Sequence, residues 1–123
     1  MHMKKISTKR ILVADDDPAI VDSIQLMLEA VGYEVDTTVN GDTVKDLIEN
    51  FPHLLLLDIW MSGLFGTEIC SQLKDSDKTK HIPVIMMSAH PGAEKSVEEI
   101  KADAFLAKPF DIEDLLKHIK KLT

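Results

Sequence analysis

The sequence predicts an α/β fold built on a doubly wound parallel sheet. Short β-like runs alternate with longer segments whose apolar residues recur at helical spacing, which is the pattern of consecutive βα units. Two of the runs, LLLL at 54–57 and VIMM at 84–87, show no period-two alternation, as expected for strands buried on both faces. Short connections between five such units favour right-handed crossovers within a single sheet.

Each predicted strand is a short run rich in apolar or β-branched residues. The runs are RILVA at 10–14, EVDTT at 34–38, LLLLD at 54–58, PVIMMS at 83–88 and AFLA at 104–107. With the intervening helices they form one domain, which we expect to span residues 9–123. Residues 1–8 are interpreted as an N-terminal extension, with Met1-His2 as a cloning remnant.

The first predicted helix has signals at both ends. Asp17 is placed as its N-cap, and Pro18 stands at the first helical position, where its missing N–H costs nothing. Gly32 is placed to end the helix, because glycine readily adopts the left-handed conformation found after many helices. The apolar face consists of Ile20, Val21, Ile24, Met27, Leu28 and Val31.

Four further helices are predicted from apolar residues at helical spacing. The fifth follows Asp111, with Asp114 three residues later, which is close to a capping box. The apolar positions are Val44, Leu47, Ile48 and Phe51 in the second helix, Ile69, Cys70 and Leu73 in the third, Val97 and Ile100 in a short fourth, and Ile112, Leu115, Leu116 and Ile119 in the fifth.

Composition excludes several classes of function. The 123 residues are 45% hydrophobic and 28% charged, and no apolar stretch has the length of a membrane span or a signal peptide. The net charge is −7, and all 21 acidic residues follow the first ten positions, so the chain by itself is not expected to bind nucleic acid. The only cysteine, Cys70, is interpreted as an inert, half-buried thiol, and no zinc-ligand spacing is present. These features favour a cytoplasmic location.

Polar side chains follow four of the predicted strands at the points where the strands end. The first strand leads into the carboxylates Asp15–Asp17, and the third ends in Asp58. The fourth ends in Ser88, and the fifth leads to Lys108. Because the carboxyl ends of parallel strands meet at one edge, we expect these groups to share a pocket. Clustered carboxylates call for a hard cation such as Mg²⁺, and a nearby lysine can neutralise a phosphoryl group.

This set of strand-end residues resembles the receiver domain of bacterial two-component response regulators. The motifs are Asp15-Asp16, Asp58, Ser88-Ala89 and Lys108-Pro109, in this order along the chain. The resemblance covers about residues 9–122. It implies a flavodoxin-like (βα)5 fold with strand order 2-1-3-4-5. It also implies a cytoplasmic phosphorelay protein that acts as a signalling phosphoacceptor and is not a conventional enzyme.

The resemblance also implies the chemistry of the site. Asp58 would be the nucleophile that takes a phosphoryl group from a sensor histidine kinase or a phosphotransfer protein. Asp16, Asp58 and the backbone carbonyl of Trp60 would bind Mg²⁺ directly, and Asp15 would help through a water molecule. The cation would offset the charge that develops in phosphoryl transfer.

The remaining implied roles concern recognition and switching. Lys108 and Ser88 would each contact a phosphoryl oxygen, and movement of Ser88 would let Phe105 turn inward. Phosphorylation would thereby shift the conformational equilibrium of the fourth helix, fifth strand and fifth helix. These elements form the face that binds a downstream protein or output domain. A phosphorylation-dependent homodimer is a further expectation for this face. Phe105 also has a simpler interpretation as a core residue.

Two residues near the site, Trp60 and His90, each have two possible interpretations. Trp60, two residues after Asp58, is expected to be partly exposed, either as a partner contact or as a shield over the site. His90, two residues after Ser88, either alters hydrolysis of the aspartyl phosphate or is an ordinary surface histidine.

The chain departs from the family pattern in two places. After Asp58 the family has Met-Pro-x-x-x-Gly, whereas here 61–66 reads MSGLFG, with Ser62 in place of proline. This substitution predicts a looser loop. The stretch between Ser88 and Lys108 is a residue or two shorter than usual, which predicts a trimmed fourth helix. Because the fourth helix belongs to the face that binds a downstream protein or output domain, the family is a weaker guide to the partners of that face.

Three other functions were weighed against a receiver. A phosphatase of the haloacid-dehalogenase type needs Asp-x-Asp followed by an apolar residue or threonine, but Asp15–Asp17 is followed by Pro18. A flavodoxin-like electron carrier needs a phosphate-binding loop after the first strand, where this chain is acidic. A receiver-like interaction module that is not phosphorylated generally lacks a key acid or the lysine, and this chain has them all.

Overall fold

Five parallel strands form one sheet in the order β2-β1-β3-β4-β5. The computed structural model describes residues 9–44, 48–49, 52–60, 66–90, 92 and 101–123. The predicted flavodoxin-like topology is confirmed, and β4 begins one residue later than the sequence predicts. The strands are β1 (Arg10–Ala14), β2 (Glu34–Thr38), β3 (Leu54–Asp58), β4 (Val84–Ser88) and β5 (Ala104–Ala107).

The register of the sheet brings the carboxyl ends of four strands to one edge. Ala14 at the end of β1 pairs with Leu57 of β3, and Asp58 pairs with Met87 of β4. Ser88 then pairs with the last residue of β5. Side chains that follow β1, β3, β4 and β5 therefore start from neighbouring points.

Three helices are described along their whole length. They are α1 (Pro18–Ala30), α2 (Gly66–Lys74) and α3 (Ile112–Leu122), and a 3₁₀ turn covers Gly41–Thr43. Of the second predicted helix, Val44 and Ile48 are described, and both are buried. Its remainder and the predicted fourth helix lie outside the described residues. Among the described helices, none has both the length and the apolar character needed to cross a membrane.

The ends of α1 form as the sequence predicts. The Asp17 side chain accepts the backbone N–H of Ala19, and Pro18 is the first helical residue. Gly32 has φ +105° and donates its N–H to Glu29, while Tyr33 donates to the Leu28 carbonyl. These two bonds form a Schellman motif, which requires the left-handed conformation at Gly32.

The start of α3 differs from the expected capping box. Asp111 occupies the N-cap position, but its side chain accepts no capping hydrogen bond. Its backbone carbonyl instead accepts the N–H groups of Asp114 and Leu115. An exposed carboxylate is well hydrated, and water can satisfy the first N–H groups of a helix in its place.

Two hydrophobic cores lie on opposite faces of the sheet. Leu55 and Leu57 point into a core with α2, whereas Leu54 and Leu56 point into a core with α1 and α3. Every residue of β3 and β4 is buried, which explains their unbroken apolar runs. Cys70 of α2 is wholly buried, so the expectation of a half-buried thiol was wrong. Burial raises the pKa of this thiol to about 11.

Candidate functional site

Three carboxylates from two neighbouring strands meet at the carboxyl edge of the sheet. Asp15 and Asp16 directly follow β1, and Asp58 is the last residue of β3. One carboxylate oxygen from each aspartate lies within 4.8 Å of the others. Asp15 and Asp58 are buried, and Asp16 is exposed. The predicted convergence of these acids is confirmed.

Lys108 bridges the two buried carboxylates. Its Nζ atom donates to Asp15 Oδ2 at 2.6 Å and to Asp58 Oδ1 at 3.3 Å. Lys108 follows β5, and the peptide bond to Pro109 is cis. The other oxygen of Asp15 accepts the backbone N–H of Asp17 at 3.0 Å. Both oxygens of this wholly buried carboxylate are therefore hydrogen-bonded.

Burial and neighbouring charges set the pKa values of Asp58 and Lys108. Burial raises the pKa of Asp58 from 3.8 to about 6, and the charge of Asp15 adds to the rise, while Lys108 opposes it. Burial acts to lower the pKa of Lys108, but its hydrogen bonds and attraction to Asp15 and Asp58 outweigh burial and raise it. One ammonium therefore only partly offsets the cost of ionising Asp58 beside Asp15. A further cation at this cluster would lower that cost.

Ser88 lies beside the cluster at the end of β4. Its side chain is almost wholly buried, and its Oγ atom accepts the backbone N–H of His90 at 3.0 Å. The ring of His90 lies 5.1 Å from the ring of Trp60, with an interplanar angle of 59°. His90 is exposed, and Trp60 is 47% exposed, which confirms the expectation for the tryptophan. The two rings form a surface pair above the ends of β3 and β4.

The chemistry of the donor set fits Mg²⁺. This cation prefers oxygen ligands and is usually held by one or two carboxylates together with water. Asp15, Asp16 and Asp58 offer only oxygens, and the exposed Asp16 places one side of the cluster toward solvent. The structure thus brings the three predicted carboxylate ligands together. The metal-binding role of the Trp60 carbonyl stays a prediction.

Two residues lie next to the cluster and outside it. Phe105 of β5 is half-buried, pairs with Met86 and packs against the core that contains α2. Its proposed movement stays a prediction. Gly66, the first residue of α2, lies against the backbone of Asp58. The 61–66 motif retains this glycine, but a sequence motif gives no sign of a close backbone contact.

Comparison with known proteins assigns the family. The sequence profile of the response regulator receiver domain matches residues 11–120. The chain belongs to the response regulator receiver domain family. Receiver domains are signalling domains of two-component systems, and the cluster of Asp15, Asp16 and Asp58 fits their phosphoacceptor site.

Individual relatives agree with this assignment. The chain is 37% identical to a CheY-like response regulator receiver domain protein from Methanospirillum hungatei, with a TM-score of 0.86 and 94% of both chains covered. It is 28% identical to a structure described as a response regulator from Chloroflexus aurantiacus, with a TM-score of 0.89, covering 94% of this chain and 98% of the other.

Curated relatives are longer proteins. The chain is 35% identical over 116 residues to the DNA-binding transcriptional regulator RpaA of Synechocystis, which covers 92% of this chain and 48% of RpaA. It is 37% identical over 117 residues to the response regulator PleD of Caulobacter vibrioides, covering 93% of this chain and 26% of PleD. The chain therefore spans about half and about a quarter of these two relatives.

Proposed function

We propose that Asp58 is the phosphoacceptor of this receiver domain and takes its phosphoryl group from a sensor histidine kinase or a phosphotransfer protein. The observation that carries the proposal is the bridge from Lys108 to Asp15 and Asp58, beside the exposed Asp16. It gathers a nucleophile, cation ligands and an ammonium at one point.

The covalent step is a displacement at phosphorus. A carboxylate oxygen of Asp58 attacks the phosphorus of the donor phosphohistidine, and an acyl phosphate bond forms while the phosphorus–nitrogen bond breaks. The electron pair of that bond stays on the donor imidazole. Burial raises the pKa of Asp58 to about 6, which is still below neutral pH, so its carboxylate is mostly ionised and able to attack at pH 7.

We propose that two side chains, Lys108 and Ser88, hold the transferred group. Lys108 donates to Asp58 Oδ1 at 3.3 Å, so its ammonium lies beside the oxygens at which a phosphoryl group would form. Ser88 is buried at the adjacent strand end, and its Oγ already accepts the N–H of His90. The Ser88 hydroxyl hydrogen is the group it would donate to a phosphoryl oxygen.

Asp15, Asp16 and Asp58 are the carboxylates that would hold Mg²⁺, with the Trp60 carbonyl as a further oxygen ligand. When bound, the cation offsets negative charge on the phosphoryl oxygens and on the acidic cluster. Asp15 already has both oxygens hydrogen-bonded. This supports a role for Asp15 through a water molecule, with Asp16 and Asp58 as the direct carboxylate ligands.

Phosphorylation is proposed to reach the rest of the domain through Ser88 and Phe105. Ser88 pairs with Ala107, two residues beyond Phe105 on β5. A Ser88 hydroxyl drawn toward the phosphoryl group would change the space beside this strand. Phe105, which is only half-buried, would then turn inward and bias the face formed by β5, α3 and the predicted fourth helix. A downstream protein, an output domain or a second phosphorylated copy would bind that face.

Trp60 and His90 are proposed to control access of water to the phosphoryl group. Their rings lie 5.1 Å apart beside the ends of the strands that carry Asp58 and Ser88. A pair in this position would shield one side of the site. Removal of either ring would shorten the lifetime of the aspartyl phosphate.

An apolar groove of about 640 Å³ borders the site, and we propose that the protein that carries the phosphohistidine docks there. It lies between α1 and the segment that follows β5, and Lys108 forms part of its lining. Ile20 and Met27 of α1 supply apolar surface along it. A donor protein that presents its histidine to Asp58 would have to cover this rim, and an apolar helix surface would match it.

We propose that the chain is a cytoplasmic signalling domain that neither binds nucleic acid by itself nor turns over external substrates. The alternative function is that of a receiver-like interaction module that signals without phosphorylation. The intact bridge between Lys108, Asp15 and Asp58 favours the phosphoacceptor.

Intact-protein mass after incubation with acetyl phosphate and Mg²⁺ tests the proposal. We expect a gain of one phosphoryl group that is lost without Mg²⁺ and in Asp58→Asn. Asp17→Asn is the matched control, because Asp17 caps α1 and should still allow phosphorylation. Absence of Mg²⁺ binding and of any mass gain, with acetyl phosphate and with a phosphorylated phosphotransfer protein, would favour the interaction module.

A further inference from the structure

Gly66 begins α2 directly against the backbone of the phosphoacceptor residue. A Cβ atom at this position would lie 3.0 Å from the carbonyl carbon of Asp58 and 3.0 Å from Cα of Ile59. It would lie closer still to the carbonyl oxygen of Asp58, at a separation that real Cβ atoms essentially never show. These neighbours are backbone atoms, so no side-chain rotation can make room.

Hydrogen bonds hold the same segment between two elements. The Gly66 N–H donates to the carbonyl of Ile59 at 2.9 Å, and the Ile59 N–H donates to the carbonyl of Met87 in β4 at 3.0 Å. Ile59 is also buried. The peptide groups on both sides of Ile59, which connect Asp58 to Trp60, are thus fixed from α2 on one side and β4 on the other.

Space, and not conformational freedom, explains the glycine. The glycines with positive φ in the described residues are Gly32 and Gly92, so the backbone of Gly66 is one that any residue can adopt. By helix propensity alone, alanine in place of Gly66 would be a small gain in stability for α2. The close approach to Asp58 is what opposes that gain.

We propose that Gly66 is a positioning residue for the phosphoacceptor site. Its missing side chain lets α2 approach until the peptides of Asp58 and Ile59 are fixed, and so sets the Asp58 carboxylate and Trp60 carbonyl relative to the acids that follow β1. This inference rests on the proposed function, because it concerns the same Mg²⁺ and phosphoryl site. A side chain at Gly66 would displace one group of metal ligands relative to the other.

The test compares Gly66→Ala and Gly66→Ser with Thr67→Ala, a control in the same helical turn. Mg²⁺ binding is followed by fluorescence of Trp60, the only tryptophan of the chain, and circular dichroism verifies folding. We expect both Gly66 variants to bind Mg²⁺ at least about tenfold more weakly, which is the usual effect of disturbing groups that orient metal ligands. The two losses should be alike, because both variants add the same Cβ. Thr67→Ala should match wild type.

Wild-type Mg²⁺ affinity in a folded Gly66→Ala protein would overturn the inference and leave the proposed function intact. A wild-type chain that neither binds Mg²⁺ nor gains a phosphoryl group would instead overturn the proposed function. If neither Gly66 variant folds, amide hydrogen exchange of the wild-type protein decides. Mg²⁺ should then slow exchange at Ile59 and Gly66 several-fold more than in α3, and equal slowing would overturn the inference.

Discussion

At the scale of single residues, the site holds three like charges close together although they repel one another. Asp15 and Asp58 are both buried, and both accept a hydrogen bond from the Lys108 ammonium. One positive charge cannot neutralise two buried carboxylates and the adjacent Asp16. The metal-free site is therefore held at a cost in stability, and that cost is what favours cation binding.

The ionisation of Asp58 should make the metal-free domain less stable as pH rises. Its pKa is about 6 in the folded protein and near its ordinary 3.8 when unfolded, so the folded state binds more protons between these values. The total loss should be about 3 kcal/mol, at 1.36 kcal/mol per pKa unit, and most of it should fall between pH 4 and pH 7. Asp58→Asn should lack this loss. Urea unfolding of both proteins in EDTA at pH 4 to 7 measures it, and parallel pH profiles would contradict the prediction.

Removal of the Lys108 charge should separate metal binding from phosphoryl transfer. Coulomb's law gives about 1 kcal/mol for two unit charges 4 Å apart in water, and twice that for a divalent cation. Lys108→Ala should therefore bind Mg²⁺ roughly thirtyfold more tightly, since each 1.4 kcal/mol is a factor of ten, yet gain phosphate from acetyl phosphate more slowly. Fluorescence titration and intact mass measure the two effects. Lys117→Ala, at an exposed position of α3, is the control, and weaker Mg²⁺ binding in Lys108→Ala would argue against repulsion between Lys108 and the cation.

At the scale of elements, sequence reasoning succeeded where a residue's place in the sheet determines its neighbours. Asp15, Asp58 and Lys108 were predicted to meet because carboxyl ends of parallel strands share an edge. It failed where the outcome depends on packing distance or hydration. Cys70 is wholly buried because α2 packs closely on the sheet, and the exposed Asp111 side chain makes no capping hydrogen bond.

The groove beside α1 should matter for a protein donor and not for a small one. Met27 lines the groove and is 46% exposed, whereas its neighbour Leu26 is 70% exposed and lies outside the lining. Met27→Glu should slow phosphoryl transfer from a phosphorylated histidine phosphotransfer domain at least about tenfold, since it places a charge in an apolar contact. Leu26→Glu should have little effect, and both should react normally with acetyl phosphate. Equal transfer rates to the two variants would rule out this docking surface.

At the scale of the whole molecule, the acidic site lies in an acidic chain. The net charge is −7, and the three clustered carboxylates lie at the carboxyl ends of two neighbouring strands, β1 and β3. β1 and β3, which lead to the acids, are largely buried and pair directly with each other, so the repulsion among the acids cannot be relieved by moving one of these strands away from the other. A bound cation adds to the relief that Lys108 provides and keeps all three acids ionised, so the stability of the whole domain should report its binding.

Mg²⁺ should therefore raise the thermal stability of the folded domain. A ligand that binds only the folded state at 100 times its Kd adds about 2.7 kcal/mol, which corresponds to roughly 10 °C for a domain of this size. Asp16→Asn should reduce the shift in Tm, because Asp16 supplies an exposed ligand to the cluster. Asp22→Asn, on α1 and away from the cluster, should keep it. Thermal unfolding with Mg²⁺ or EDTA at matched ionic strength separates cation binding from screening, and an equal shift in all three proteins would mean that Mg²⁺ acts elsewhere on the surface.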